Sequence, residues 1–225
     1  FDINLHNIRR GFVVQRQTAS FFKPGVAFSV YHEWVPKTCT RPVVWDPSCG
    51  FGARILGFAA AFPSGTYIGN EPATRTHADL LALGKDLVGA SALAGFCIRN
   101  EGSEETSVES DSLDIVFTSP PYFDLEKYYD EPSQCWKKFS TLETWTRGYL
   151  LPTLHASHRG LKEGRKLVLN VNKALEGTVV ECATRSGFKL LHKHTMNIGK
   201  DHFSRKSAPT GKARSEPVLV FSKLP

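Results

Sequence analysis

The chain has 225 residues, 41% of them apolar, with 28 Lys+Arg against 22 Asp+Glu, a formal charge of +6 and a pI near 9.1. That is enough for one domain with a real core, short for two, and too apolar for a disordered chain. No apolar run reaches membrane-span length, because "VVWDPSCGFGARILGFAAAF" is broken by Asp46, Pro47 and Arg54, and the odd, scattered set of five cysteines argues against a disulfide scaffold or zinc site.

No charged-then-apolar signal segment opens the chain, and it begins at Phe1 rather than Met, so a trimmed chain or a piece of a longer protein is expected. Residues 1–19 read as an N-terminal extension. "PVVW" (42–45) reads as a short buried strand and 52–62 as a helix; "TYIGN" (66–70) is a strand and 73–88 a helix. "GFCIR" (95–99) and "LDIVF" (113–117) are strands, 141–158 a helix, "RKLVLNV" (165–171) a strand and 176–186 a helix ending at Gly187. "FKLLHKHTM" (188–196) and "PVLVFSK" (217–223) lack room for a helix between them, so an antiparallel pair joined by a long basic loop, 197–215, is expected. Strands separated by helices imply one α/β domain over 1–225, with a mostly parallel seven-stranded sheet, one antiparallel strand and helices on both faces.

In such sheets ligands bind beyond the carboxyl ends of the strands, near the switch in strand order. After the first strand comes "DPSCGFGAR". Gly50 and Gly52 allow a tight turn and close approach by a ligand, and a helix starting near Gly52 has free N–H groups. A plain strand-to-helix turn reads the same way, so this pattern alone is weak. Glu71 follows the second strand, about 20 residues past the glycines, where an acid can take both ribose hydroxyls of an adenosine-bearing ligand. Ser103 or Glu104, after the third strand, could accept from an adenine amino group.

The fourth strand runs into Ser119-Pro120-Pro121-Tyr122. Two prolines cannot continue a ladder and stiffen the corner. The Ser119 oxygen and the Pro120 carbonyl can then serve as two acceptors in one pocket, which suits an –NH2 group. Two acceptors that bind its hydrogens pull a base amino nitrogen toward tetrahedral geometry and localise its lone pair, while Tyr122 can stack on the base. Taken alone, the tetrapeptide reads as easily as a turn with a tyrosine in the core.

Glycine turn, acid and Pro-Pro corner follow three different strands, in order, on one rim. In this constellation the chain resembles the S-adenosylmethionine-dependent amino methyltransferases that modify bases in nucleic acid. Asp46-Pro47-Ser48-Cys49-Gly50-Phe51-Gly52 matches their cofactor loop, Ser119-Pro120-Pro121-Tyr122 their catalytic tetrapeptide, and "EPVLVF" near the end their last antiparallel strand. The likeness covers roughly residues 20–223 and implies a Rossmann-like methyltransferase fold with the cofactor loop ahead of the tetrapeptide, one of the family's circularly permuted orders.

The resemblance implies S-adenosyl-L-methionine as cofactor. The Asp46–Gly52 loop then holds its methionine part, with Pro47 and Phe51 in that loop and Phe22 of "FFKPG" completing the pocket. Glu71 takes the ribose, and Ser103 or Glu104 lies near the adenine. Ser119, Pro120 and Tyr122 hold the target base and Pro121 sets the corner. The implied reaction is methyl transfer to cytosine N4 or adenine N6 of a flipped base, with Phe123 helping to stack. The implied partner is nucleic acid, DNA before RNA, in a bacterial or phage cytoplasm, as in restriction-modification or phage DNA modification.

No metal site is expected: His155 and His158 lack a completing ligand. One departure is the short stretch 124–150, too small for a large recognition segment, although Tyr128 and Tyr129 could touch substrate. Lys200, Arg205 and Lys206 of the basic loop are the other candidate contacts, and a missing specificity domain or partner is a third source of recognition. The rivals are an RNA base or a protein glutamine as substrate, a non-catalytic nucleic-acid-binding module, and a nicotinamide dehydrogenase. Ser119 argues against the glutamine enzymes, which generally begin the tetrapeptide with Asn. The absence of a third glycine at Ile55 argues against the dehydrogenase.

Overall fold

The structure, a computed structural model, describes residues 22–122, 127–200 and 213–224, with the backbone alone at 198–200, 213 and 214. The central strand β1 (Val43–Asp46) pairs in parallel with β2 (Thr66–Asn70) on one side and β4 (Leu113–Thr118) on the other. Beyond them lie β3 (Gly95–Arg99), parallel to β2, and β5 (Leu161–Asn170), parallel to β4. β7 (Ala213–Lys223) runs antiparallel to β5 and to the outermost strand β6 (Phe188–Lys200), giving the order β3-β2-β1-β4-β5-β7-β6. The order reverses between β1 and β4, so the switch point lies between the glycine turn and the Pro-Pro corner.

Helices α1 (Pro24–Trp34), α2 (Ala53–Ala61), α3 (Thr74–Gly89), α4 (Cys135–Lys138) and α5 (Leu142–Trp145) follow in chain order. A π turn, Thr146–Leu150, carries α5 into α6 (Leu151–Gly160), and α7 (Glu176–Arg185) precedes β6. The central strands β1 and β4 are buried nearly throughout because both their faces are covered. Trp45, Leu167, Leu169, Leu219 and Phe221 pack into one core with Trp145 and Leu154, while Val44, Val168, Val218 and Val220 pack into the other with Tyr31, Ile55 and Phe58. Leu113 and Ile115 would share a face in a regular strand but lie in opposite cores, because the ladder shifts register between them.

Four expectations need correction. The helix α1 was legible only as "FFKPG"; Pro24 at its first turn starts it, and its inner face buries Ala27, Val30 and Tyr31. β5 begins at Leu161, not 165, because buried Asp114 draws in Lys162 and Arg165, at 2.9 and 3.4 Å, beside the strand. The helix expected over 141–158 contains the π turn. β6 and β7 are longer than read: Asn197 pairs with Ser215 and Lys200 with Ala213, so the connection shrinks from 197–215 to 201–212. Backbone pairing continued past the apolar stretch, which side-chain alternation could not announce. Since Asn170 at the end of β5 pairs with Val218, this hairpin projects past the carboxyl ends of the parallel strands. Arg205 and Lys206 lie outside the described residues.

Candidate active site

Asp46 ends β1 fully buried, and its carboxylate is filled by the chain's own donors. Oδ2 accepts from Arg54 Nε at 2.7 Å and from the Tyr67 hydroxyl; Oδ1 accepts from Arg54 Nη2 and the Ser48 N–H, each at 3.2 Å. Arg54 also donates to the Ser48 carbonyl. The acid therefore shapes the turn rather than offering oxygens to a ligand. Gly50 and Gly52 have φ of +53° and +81°, a backbone that side chains rarely adopt. Gly52 precedes α2 with no side-chain cap on the first turn. Cys49 is buried, and burial pushes its thiol well above the usual range, which suits a packing residue more than a nucleophile.

Glu71 directly follows β2, buried, with Oε1 accepting from the Ala73 N–H at 2.8 Å. Burial raises its carboxyl to about 7, against hydrogen bonds from the backbone of Ala73 and Gly50 that act the other way. Beyond β3, Ser103 is buried and shares a hydrogen bond of 2.8 Å with Thr153 on α6. Glu104 and Glu105 both pair with Lys138.

At the end of β4, Ser119 Oγ and the Tyr122 hydroxyl are 3.5 Å apart. Ser119, Pro121 and Tyr122 line the same cavity as Pro47, Gly50, Phe51, Glu71, Ser103 and Glu104; Pro120 is buried and does not line it. Phe22 lines it too, edge-on to Phe117 at 5.6 Å, with the Arg54 guanidinium 5.4 Å from its ring centre. Gly52 is buried against α3 rather than lining the cavity. Phe123 lies outside the described residues. Lys200 is described as backbone only, at the far end of β6.

Residues 127–138 form a strap along the cavity. Tyr128 meets Phe51 edge-on at 5.8 Å. Glu131 accepts from the N–H and hydroxyl of Thr74 at the start of α3, at 3.0 and 3.1 Å. Ser133 donates to the Pro72 carbonyl at 3.0 Å, and Lys138 ends the strap on Glu104 and Glu105. Part of the stretch that looked too short to recognise a target thus forms a wall of the site, with Tyr128, Tyr129, Gln134 and Cys135 lining it.

Sequence reasoning missed Tyr149, Asn170, Met196 and Glu216, which also line the cavity. Tyr149 sits in the π turn, and its hydroxyl meets Ser48 Oγ at 2.8 Å. Burial raises its phenol above the ordinary value, so it stays a neutral hydroxyl. A π turn leaves no pattern in residue spacing, though it often marks a functional position. Asn170 was legible by the rule that strand ends carry the site, since it closes β5. Among the described residues no cluster of three or more His, Cys, Asp or Glu could hold a metal ion, and no helix is long and apolar enough to cross a membrane.

The cavity fits an adenosine-bearing cofactor on the structure's own terms. Its wall joins a buried acid of raised pKa, a left-handed glycine turn and the edge-to-face rings of Phe51 and Tyr128. No family model and no curated protein matches the chain. Three solved structures resemble it. A Pyrococcus horikoshii protein assigned as an RNA methyltransferase is 15% identical, with 90% of this chain and 83% of that one aligned and a TM-score of 0.58. TrmN of Thermus thermophilus is 16% identical over 96% of this chain, with a TM-score of 0.58, and the match spans about half of TrmN, 53%. A SAM-dependent methyltransferase of Methanosarcina mazei is 13% identical, with 87% and 97% of the two chains aligned and a TM-score of 0.59. At these identities the likeness establishes the fold, which is the Rossmann-like methyltransferase fold.

Proposed function

We propose that this protein transfers a methyl group from S-adenosylmethionine to the exocyclic amino group of a base in nucleic acid, cytosine N4 or adenine N6. One observation carries the reading: the glycine turn and Glu71 line the same cavity as Ser119, Pro121 and Tyr122. When bound, S-adenosylmethionine supplies an electrophilic methyl on a sulfonium. The Gly50–Phe51 turn, held in shape by Asp46 and Arg54, seats its methionine end with Phe22. Glu71 accepts from the ribose, and Ser103 lies toward the adenine. Glu104, already paired with Lys138, serves better as the strap's anchor than as a base acceptor. Ser119, which lines the cavity, accepts from the target amino group and stabilises the charge that develops on its nitrogen, while Pro120, buried off the cavity, stiffens the corner. Tyr122 supplies the stacking surface, and alignment of the reacting atoms supplies most of the rate.

DNA is the substrate that the motif resemblance favours. An RNA base is a second reading, favoured by the Pyrococcus horikoshii likeness. Specificity beyond the base would come from the hairpin, a further segment or a partner. Incubation with labelled cofactor and DNA, RNA or protein, then digestion and mass spectrometry, tests the proposal. A methylated base amino group is the expected product; label only in protein would overturn the reading.

Glu71→Ala is expected to weaken binding of S-adenosylhomocysteine by about 1.5–3 kcal/mol, through loss of hydrogen bonds to a charged acceptor. The affinity of the parent should also depend on pH. Hydroxyl donors favour the carboxylate, so binding draws the Glu71 pKa below its free value of about 7. Affinity is then full above pH 7 and falls as pH drops below it. Calorimetry on parent and variant at several pH values checks both; a flat pH profile would remove Glu71 from the cofactor.

Arg205 and Lys206, in the connection 201–212, are proposed to contact phosphate. Changing both to Ala should weaken binding about equally for unrelated sequences. It should also flatten the slope of log affinity against log salt by nearly one unit for each phosphate no longer neutralised. Titrations at several salt concentrations measure it. An unchanged slope would put the phosphate-binding side chains elsewhere.

A further inference from the structure

A second groove opens beside the cavity, between α1 and the β6–β7 hairpin. Val26, Val30, Trp34, His194, Met196 and Val218 line it, with Glu33 its one acid. Met196 lines both the groove and the cavity, and Lys23 at the cavity wall donates to the Asn197 carbonyl of the groove at 3.4 Å. The two spaces are therefore neighbours with Met196 between them.

The groove carries a row of rings. His192, His194 and Met196 alternate along one face of β6, about 6.6 Å apart. Half-buried Trp34 stands against both histidines, with ring centres at 5.2 and 6.0 Å, and the exposed histidines stack on each other at 6.0 Å. The surroundings are basic. Residues 22–41 hold Lys23, Lys37 and Arg41 against Glu33, and β6 holds Lys189, Lys193 and Lys200 with no acid, while β7 sets Glu216 opposite Met196 at the cavity end. Lys193 is paired with Glu176, on the α7 side.

Rings exposed in a row on a basic surface, beside the cavity, fit a chain of anionic phosphates whose bases have free faces. A duplex buries those faces; a single strand presents them. We infer that this groove seats the single-stranded nucleic acid flanking the target base, with Trp34, His192 and His194 stacking on neighbouring bases. The inference rests on the proposed function and deepens it by naming the strandedness of the substrate.

The test is fluorescence anisotropy with one labelled mixed-sequence oligonucleotide, as DNA and as RNA single strands and as a DNA duplex. The proteins are the parent, Trp34→Ala, Trp34→Phe and the double variant His192→Ala with His194→Ala. Trp34→Ala and the double histidine variant are each expected to weaken single-strand binding roughly tenfold, since an aromatic is worth about that factor or more per base. Trp34→Phe should keep most of the affinity, and duplex binding and S-adenosylhomocysteine affinity should not move. The exposed histidines guard against a Trp34→Ala chain that folds poorly. Unchanged single-strand affinity in the double variant, an equal loss on duplex, or a parent that binds no single strand would each overturn the inference. Methyl transfer to nucleic acid with unaltered binding in the variants would sink the groove and leave the proposed function standing. Ring-dependent binding without methyl transfer would do the reverse.

Discussion

Asp46→Ala is expected to cost about 3–5 kcal/mol of folding stability, the usual penalty for breaking a buried ion pair by removing one partner. Arg54 would be left buried, 5% exposed, with its guanidinium deprived of both carboxylate oxygens. The Tyr67 hydroxyl would lose its acceptor as well. Against a total stability of about 5–15 kcal/mol for a domain, this is a large share. Asp46→Asn keeps an acceptor and should cost less. Urea unfolding of the two variants and of Arg54→Met measures it, and the double variant Asp46→Ala with Arg54→Met should recover part of the loss because no buried charge remains unpaired. A loss under about 1 kcal/mol for Asp46→Ala would mean the pair relaxes to water. Cofactor affinity should fall in the same variants, but indirectly. The acid's oxygens are taken by Arg54, Tyr67 and Ser48, so it acts by holding the Ser48–Gly52 turn.

Ser119→Ala is expected to lower the methylation rate by about 10²-fold while cofactor affinity stays near the parent value. That magnitude is typical of removing one preorganised hydrogen-bonding group aimed at charge that develops in the transition state. Tyr122→Ala should raise the substrate concentration needed for turnover, by about 1–3 kcal/mol of stacking removed. Tyr122 is only 7% exposed and belongs to a core cluster with Trp45 and Trp145, so its truncation will also loosen that core. Tyr122→Phe separates the two effects: it keeps the ring and loses only the hydroxyl 3.5 Å from Ser119. Single-turnover rates and calorimetry on the three variants decide the matter. If Ser119→Ala and Tyr122→Ala turn over at the parent rate, the corner has no catalytic role.

The sequence by itself determined the sheet and the addresses on its rim. β2 and β3 run over the residues read, Asp46, Glu71 and Ser119 lie at or just past strand ends and Ser103 lies in the turn after β3, because a strand stops where a polar residue, glycine or proline intervenes. Tertiary structure alone decided what each polar group faces. No local pattern says that Asp46 is saturated by Arg54 and Tyr67, since those donors come from α2 and the neighbouring strand. The same holds for the strap, whose fastenings to Thr74, Pro72 and Glu104 join residues dozens of positions apart. It holds for Tyr149, aimed at Ser48 by a π turn, and for Trp34 beside His192 and His194, brought together by α1 lying against the last hairpin. Periodicity records which face of an element is buried. It carries no record of which distant element buries it, so the strand ends were readable and the company they keep was not.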